Sequence, residues 1–350
     1  MRYLGMHPHS HRYWINLLSQ SKYQDMAPDC YNQGPLVDEL EERMAELLGK
    51  PSTLFFNKGV TCQLAALKVH CEQANNAQVL LHPQSHIAQD EHDAYQALMG
   101  LKGVLVGQRQ YPLALTDLKG YEDAAVLVIE LPLRRAGFKL PDWQTLLQLR
   151  QWCDAHQTIM HMDGARLWES APYYQKSFAE VAKLFDSVYV SLYKGIGAIN
   201  GAVLAGSQDF IKACQVWRSR LGSEMWSTFP TLITALEGMD QNLPEIPNWV
   251  VRANEIAAAL KTVHGLTVDT PQTNGFQVRT EADCQTINQA LKQLSDKMQL
   301  TLCKPFADTD TAEQVFTEIQ VGASHDDIKT EEIVDFFGQL IDRTQTQNNS

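Results

Sequence analysis

The sequence lacks the long hydrophobic runs and the clusters of basic residues that mark two large classes of protein. No stretch approaches the roughly 20 apolar residues of a transmembrane helix, and the N-terminus has no apolar signal-peptide core. Basic residues number 29 against 41 acidic ones, so the net charge of −12 argues against a polyanion-binding surface. We therefore expect a cytoplasmic protein that binds neither a membrane nor nucleic acid.

Cysteine pairs and metal-binding motifs are also missing. The seven cysteines form no CxxC pair, and their odd number is typical of reduced thiols in a cytosolic enzyme. His7, His9 and His11 recur two residues apart, but an extended N-terminal arm explains them better than a metal site does. We therefore predict no metal.

The arrangement of apolar segments indicates the fold class and the division into domains. Short apolar strands alternate with amphipathic helices up to about residue 243, which predicts an α/β fold with a mostly parallel sheet buried on both faces. The Pro-interrupted segment NLPEIPNW then leads into a smaller α+β region. We expect an N-terminal arm over residues 1–30, a large domain over 31–243, a small domain over 244–343 and a disordered tail over 344–350.

Reactive side chains follow the predicted strands at their carboxyl ends, which is where open α/β sheets bind ligands. A helix start, a histidine, two carboxylates, an arginine and a lysine would meet at one edge of the sheet. The residues are Gly59, Val60 and Thr61, then His86, Glu130, Asp163, Arg166, Ser191 and Lys194. This set suits pyridoxal phosphate (PLP), whose aldehyde forms a Schiff base with a lysine and whose ring nitrogen needs a carboxylate.

Each role follows from the chemistry of its residue. Lys194 would bind the aldehyde, Asp163 the ring nitrogen, and His86 would stack on the ring face. The phosphate would lie against backbone N–H groups at the helix start, with a hydroxyl from the strand that precedes the lysine. These phosphate ligands are Gly59, Val60, Thr61 and Ser191.

Structural alternatives exist for several of these residues. Lys194 taken alone would be a surface turn residue, Asp163 a helix cap, and Arg166 a brace for Glu130. The glycines of GIGAING could be mistaken for a dinucleotide-binding loop, but the segment AVLAG that follows predicts a strand where that loop requires a helix. The PLP interpretation is favoured because the Asp163–Arg166 segment and Lys194 occur together.

Two motifs carry a family resemblance. The segments HMDGARLWE and SLYKGIGA, about thirty residues apart, resemble the PLP-dependent L-threonine aldolase and β-eliminating lyase family. These are fold-type I enzymes of the aspartate aminotransferase superfamily, and the resemblance spans residues 31–226. It implies a PLP-transferase-like large domain with a seven-stranded sheet, an active site at a dimer interface, and hence a homodimer or homotetramer.

The resemblance also implies residue roles. Asp163 pairs with the ring nitrogen, Arg166 lies near the cofactor and the substrate carboxylate, and Lys194 forms the Schiff base. His86 stacks on the ring, and Tyr31 lies close to the active site. The usual arginine of the C-terminal domain is missing from VFTEIQVG, so Arg134 or Arg135 would take its place in substrate binding.

Two further departures from the family pattern bear on the reaction. Val60 replaces a usual hydroxyl in the phosphate turn, and the stretch ELPLRRAGF lacks the histidine that often follows the Glu130 position. The predicted function is a PLP-dependent lyase that cleaves a β-hydroxy-α-amino acid to glycine and an aldehyde, with His86 as the base. The alternatives are a PLP-dependent β-eliminating lyase or aminotransferase, and a catalytically weak PLP-binding regulatory relative.

Overall fold

The computed structural model describes residues 1–6, 8–309, 311 and 314–348. The strands are β1 (Arg2–Tyr3), β2 (Ser52–Phe56), β3 (Gln78–Leu81), β4 (Lys102–Leu105), β5 (Val126–Glu130), β6 (Ile159–Gly164), β7 (Ser187–Ser191), β8 (Ala202–Gly206), β9 (Thr267–Val268), β10 (Gly275–Glu281), β11 (Leu300–Thr301), β12 (Ala307–Asp308) and β13 (Gln314–Gln320). The α-helices are α1 (His11–Gln20), α2 (Pro35–Leu48), α3 (Gly59–Gln73), α4 (His86–Gln89), α5 (Ala94–Ala97), α6 (Trp143–His156), α7 (Leu167–Tyr174), α8 (Phe178–Ala182), α9 (Gln208–Arg220), α10 (Phe229–Gln241), α11 (Ile246–Leu260), α12 (Cys284–Met298) and α13 (Thr330–Asn348).

The larger of two compact units spans Ser10–Pro244 and contains a seven-stranded sheet. Its strand order is β2-β8-β7-β6-β5-β3-β4. β8 runs antiparallel to both of its neighbours, and the pairs β7–β6, β6–β5, β5–β3 and β3–β4 are parallel. The predicted α/β fold with a mostly parallel seven-stranded sheet is thus confirmed.

This topology determines where the functional side chains lie. β2, β3, β5, β6 and β7 all point the same way, because β2 is antiparallel to β8 and β8 is antiparallel to β7. Their carboxyl ends therefore share one edge of the sheet, and the segments that follow them carry the predicted site residues.

Helix α3 covers the middle of the sheet and is buried around most of its circumference. Its buried side chains include Leu64, Leu67 and Val69, and it packs on β7, β8 and α9. Helix α2 is more conventional, since Pro35 occupies its first turn and Gly49 ends it at φ 60°. Helix α2 packs on β2 and β8.

Side chains protect the exposed edge of the sheet at β2. The Phe55 N–H donates to Glu41 Oε1 at 2.7 Å, and Arg218 Nη1 donates to the Phe55 carbonyl at 3.0 Å. An unpaired edge strand invites association with another chain, so these two side chains take the place of a further strand. Burial raises the pKa of Glu41 to about 7.

The smaller unit comprises Met1–His9 and Glu245–Ser350. It contains an antiparallel sheet of order β12-β13-β10-β9, with α11, α12 and α13 among its helices, and β1 pairs in parallel with β11. The segment predicted as an arm over 1–30 is therefore divided between the two units. Helix α13 extends to Asn348, beyond the start of the predicted tail at 344, whereas residues 349 and 350 lie outside the described part.

The described residues can be searched for two features that the sequence predicts to be absent, a membrane span and a metal site. Within this part of the chain, every helix is too short or too polar to cross a membrane. No group of three histidine, cysteine or acidic side chains is arranged there to hold a metal ion. His7, one of the three spaced histidines, lies outside the described residues.

Candidate active site

The ends of β5, β6 and β7 bring two carboxylates and a lysine to one place. Glu130 is the last residue of β5 and is paired with Asp163 of β6, which in turn is paired with Tyr189 of β7. Lys194 follows three residues after the end of β7. Asp163 thus lies within β6 and not in the loop after it, because its backbone pairs with both β5 and β7.

Lys194 has an amine whose charged form is disfavoured. Burial and the neighbouring Arg166 lower its pKa from 10.5 to about 8, although Asp163, Glu130 and Glu169 act in the opposite direction. At pH 8 about half of such amines are neutral, compared with about 0.3% for a lysine of ordinary pKa. A neutral amine is the form that attacks a carbonyl carbon.

Asp163 is a buried acceptor close to this amine. Its side chain belongs to a residue that is 2% exposed, and Oδ1 accepts the Ala165 N–H at 3.2 Å. A carboxylate held in this way offers its remaining acceptor capacity to a protonated nitrogen. This is the property that the ring nitrogen of PLP requires.

Glu130 holds the backbone around the site. Its Oε2 accepts the His86 N–H at 2.8 Å, and its Oε1 accepts the Arg134 N–H at 3.3 Å. Burial and the nearby Asp163 raise the pKa of Glu130 to about 7. It therefore fixes the backbone position of the predicted histidine.

His86 forms a pair with a residue that the sequence did not single out. Its Nδ1 lies 2.9 Å from Glu91 Oε1, and the side chains are 37% and 1% exposed respectively. The hydrogen bond to Glu91 raises the pKa of His86, and burial raises that of Glu91. A carboxylate that accepts the Nδ1 proton leaves Nε2 as the acceptor, which is the arrangement of a general base and its orienting partner.

The helix that begins at Gly59 offers backbone donors. Lys58 precedes the helix without a side-chain cap, so the N–H groups of Gly59, Val60 and Thr61 have no partner within the helix. The Thr61 hydroxyl donates to the Lys58 carbonyl at 2.8 Å, so it is already engaged. Helix N-termini of this kind bind phosphate groups.

Arg166 begins helix α7 beside the lysine. Its guanidinium carbon lies 5.7 Å from the centre of the Phe138 ring, and its Nε is buried without a hydrogen-bond partner among the described residues. Ser191, the last residue of β7, is fully buried, and its carbonyl accepts a long 3.5 Å bond from the Trp168 indole. Arg166 acts electrostatically on Lys194, and Ser191 precedes Lys194 by three residues.

Two of the three predicted substrate-binding residues, Arg134 and Tyr31, differ in their surroundings. Arg134 begins a short 3₁₀ turn, four residues after Glu130, and is held there by its own N–H. Tyr31 is 53% exposed and makes an edge-to-face contact with Trp226, with ring centres 5.2 Å apart. Its neighbour Asn32 donates to the carbonyl of Ser223, whose hydroxyl lies 3.3 Å from that of Thr61.

The donor set fits PLP. Four features that suit PLP lie at the carboxyl ends of the parallel strands. They are a lysine of lowered pKa, a buried aspartate, an uncapped helix start and an arginine with an unused buried N–H. Purely structural roles would not account for the unused buried donors or for the lowered pKa of Lys194.

The comparison with protein families agrees with this geometry. The family described as beta-eliminating lyase matches residues 21–283. The chain belongs to this family. The family predicted from the HMDGARLWE and SLYKGIGA motifs is therefore confirmed.

Relatives of this beta-eliminating lyase family member include several threonine aldolases. The low-specificity L-threonine aldolase 1 of Arabidopsis thaliana is 27% identical over 252 residues, which cover 69% of this chain and 70% of that protein. A solved structure from Listeria monocytogenes, provisionally assigned as an L-allo-threonine aldolase, is 30% identical with a TM-score of 0.92 over 98% of this chain and 96% of that one. One from Exiguobacterium sp. 255-15, provisionally assigned as an aromatic amino acid beta-eliminating lyase/threonine aldolase, is 28% identical with a TM-score of 0.92 over 98% and 97%.

One arginine of this lyase family member supports the edge of the sheet. Arg218 is 4% exposed and donates to the Phe55 carbonyl. Arg220 lies over the Trp217 ring at 4.8 Å. Arg135, the alternative to Arg134, donates to Asp90 through Nε at 3.0 Å.

Proposed function

We propose that this protein is a PLP-dependent lyase that cleaves the Cα–Cβ bond of a β-hydroxy-α-amino acid and yields glycine and an aldehyde. The observation that carries the proposal is Lys194, a lysine with a pKa of about 8 surrounded by Asp163, Arg166 and Glu130. The threonine aldolases among its relatives support the substrate class.

The cofactor would be held by residues from four strand ends. Lys194 would bind its aldehyde, Asp163 its ring nitrogen, and His86 would cover its ring. The phosphate ligands would be Gly59, Val60, Thr61 and Ser191. When bound, PLP supplies an aldehyde that takes up the substrate amine and a ring that accepts the electrons of the broken bond.

The chain's own residues would then orient the substrate and move the protons. Arg166 and Arg134 supply positive charge for the substrate carboxylate. His86 Nε2 takes the proton of the β-hydroxyl group, and the Glu91 carboxylate stabilises the imidazolium that forms. This pair would serve where the family pattern has a histidine after the Glu130 position.

The missing histidine makes β-elimination the second candidate reaction. The segment after Glu130 forms a 3₁₀ turn of Arg134–Ala136, so it offers cations in place of an imidazole. β-Elimination needs no proton transfer from a β-hydroxyl group to a base, and it would yield pyruvate and ammonia from serine.

The reactions are separated by their products. The PLP-loaded protein is incubated with L-threonine, L-allo-threonine and L-serine, and glycine, acetaldehyde, pyruvate and ammonia are measured. We expect glycine and acetaldehyde in equal amounts, with loss of both in Lys194→Ala. Pyruvate and ammonia without glycine would establish β-elimination instead, and no turnover of any substrate would favour the regulatory alternative.

We further propose that the protein forms homodimers. Four large apolar side chains are exposed in one part of the larger unit: Tyr31, Met225, Trp226 and Phe229. Exposed aromatic groups in a cluster are typical of protein–protein contact surfaces. This apolar patch adjoins Ser223, which contacts the phosphate turn through Thr61.

A further inference from the structure

Glu169 is a buried carboxyl group without a hydrogen-bond partner. It lies in the first turn of helix α7 and is 0% exposed. Neither Oε1 nor Oε2 has a hydrogen-bond partner among the described residues. A buried carboxyl group without a partner is disfavoured when ionised, so its retention requires a reason.

The carboxyl group lies directly against the residue that follows the lysine. A Cβ built on Gly195 would stand 2.9 Å from Glu169 Oε1 and 3.0 Å from Glu169 Cδ. A side chain at position 195 would therefore displace the carboxyl group. Because Gly195 has no side chain, the Glu169 carboxyl group lies next to the backbone that carries Lys194.

The charges around Glu169 come from its own helix and from the lysine loop. Burial raises the pKa of Glu169, while Arg166 and Lys194 oppose that rise. Arg166 also has an unpaired buried Nε, three residues earlier on the same helix. Glu169 thus belongs to one electrostatic group with Lys194, Arg166, Asp163 and Glu130.

The other two carboxylates of this group are already engaged by the backbone. Glu130 accepts two N–H groups, and Asp163 accepts one and is predicted to face the ring nitrogen. Glu169 has no hydrogen-bond partner on any other described residue. It is therefore the carboxyl group of this set that is available to respond to the charge of Lys194.

We propose that Glu169 is a positioning residue whose negative charge favours the ammonium form of Lys194. When Glu169 is ionised, its carboxylate balances the ammonium group of Lys194. When Glu169 is protonated, or replaced by a neutral side chain, that stabilisation is lost and Lys194 gives up its proton at lower pH. This assignment rests on the proposed role of Lys194 as the cofactor lysine.

The test measures Lys194 directly in the full chain freed of cofactor. Competitive labelling with trace acetic anhydride across pH 6–11, read by mass spectrometry of the Lys194 peptide, gives the titration midpoint of that amine. We expect Glu169→Gln to lower the midpoint by about 1 pH unit, because a nearby opposite charge favours the ammonium form by that order. Glu169→Asp, which retains the charge, should restore part of the shift.

Controls separate this role from a structural one. Glu41→Gln removes another buried carboxyl group of pKa about 7 from the same unit and should leave the Lys194 midpoint in place. If Glu169→Gln does not fold, Gly195→Ala displaces the carboxyl group by its Cβ and should move the midpoint in the same direction. A folded Glu169→Gln variant with the wild-type midpoint would overturn the proposal.

The outcome is independent of the proposed function. A shift of the midpoint without any reaction between Lys194 and PLP would uphold the link between the two residues and refute the cofactor role. Normal attachment of PLP to Lys194, with no effect of Glu169→Gln on the midpoint, would refute the link and leave the cofactor role intact.

Discussion

Lys194 and His86 illustrate how single residues acquire chemistry from their neighbours. Burial and Arg166 make the lysine easier to deprotonate, whereas the Glu91 hydrogen bond makes the histidine easier to protonate. The shift brings the pKa of Lys194 closer to neutral pH, where proton transfer is most effective. The shifts depend on contacts that a motif alone does not contain.

The His86–Glu91 pair yields a prediction for one residue. Glu91→Gln removes the negative charge that favours the imidazolium, so we expect the pKa of His86 to fall by about 1 unit. An NMR titration of the His86 ring, assigned with a His86→Asn variant, measures this. Glu41→Gln serves as the matched control, and an unchanged His86 titration in Glu91→Gln would contradict the assignment of Glu91.

The residues that the sequence missed share one property. Asp163, Arg166 and Lys194 were found because they lie in short motifs whose chemistry is readable locally. Glu91 is one of several acidic residues after His86, and Glu169 matters through Gly195, which is 26 positions later. Their roles arise from tertiary contacts, so spacing along the chain gave no signal for them.

At the scale of whole elements, the start of helix α3 is fitted closely to strand β7. A Cβ on Gly59 would stand 2.3 Å from the Tyr189 hydroxyl oxygen. Gly59 is the first residue of this helix. This close approach keeps the backbone donors of the phosphate turn against the sheet edge.

Gly59→Ala should therefore disturb both stability and cofactor binding. We expect a loss of about 1–3 kcal/mol in the free energy of unfolding, as for other overpacked positions, and weaker PLP affinity. Urea unfolding and PLP titration measure the two effects. Tyr189→Phe should relieve part of the clash in the double variant.

Gly338→Ala provides the matched control for that experiment. Gly338 lies inside helix α13, and a Cβ there would meet no atom within 4 Å. Alanine should stabilise the helix by up to about 1 kcal/mol. Equal effects of the two substitutions would show that the contact with Tyr189 is unimportant.

A buried polar network connects α3, β6 and β7. Ser187 Oγ lies 2.7 Å from His70 Nε2 and 2.6 Å from His161 Nδ1, and His161 Nε2 lies 2.7 Å from Gln63 Oε1. Burial lowers the pKa of both histidines to about 3, so they are neutral in the folded protein. Neutral rings alternate donor and acceptor nitrogens, which lets one hydroxyl serve both.

This network predicts acid sensitivity. The unfolded histidines bind protons below about pH 6.5 and the folded ones only near pH 3, so stability is full above pH 6.5 and is lost as the pH falls. Replacing His161 by Gln should reduce the loss between pH 7 and pH 5 by about 2 kcal/mol. Urea unfolding at both pH values tests this, and an identical loss in the variant would contradict the neutral assignment.

The order of the strands was less predictable than their existence. Alternating apolar strands and amphipathic helices gave the α/β class, but strand order depends on pairing between distant segments. β8, for example, lies between β2 and β7 and runs against both. No local pattern distinguishes it from the parallel strands.

At the scale of the whole molecule, strand pairing between distant segments determines which residues belong to each of the two compact units. β1 joins the C-terminal unit because Arg2 and Tyr3 pair with Leu300 and Thr301. No local pattern indicates this pairing, since nearly three hundred residues separate the partners. The larger unit, in contrast, ends at Pro244. This is next to residue 243, up to which the sequence alternates short apolar strands with amphipathic helices.

The apolar patch of Tyr31, Met225, Trp226 and Phe229 gives a prediction at this scale. Light scattering should report a mass of at least twice the 39.4 kDa of the chain. Trp226→Ser should weaken self-association by tenfold or more, since buried aromatic anchors contribute about 2 kcal/mol or more. Tyr111→Ser alters an exposed aromatic residue elsewhere and should have no effect; a monomeric wild-type protein would contradict the patch as an interface.

The most direct test of the central claim asks which lysine reacts with PLP. The protein is loaded with PLP, treated with borohydride to make the bond permanent, digested and analysed by mass spectrometry. We expect the pyridoxyl adduct on the peptide that contains Lys194, together with loss of the yellow absorbance of the bound cofactor. An adduct on another lysine, or no adduct at all, would contradict the assignment of this site.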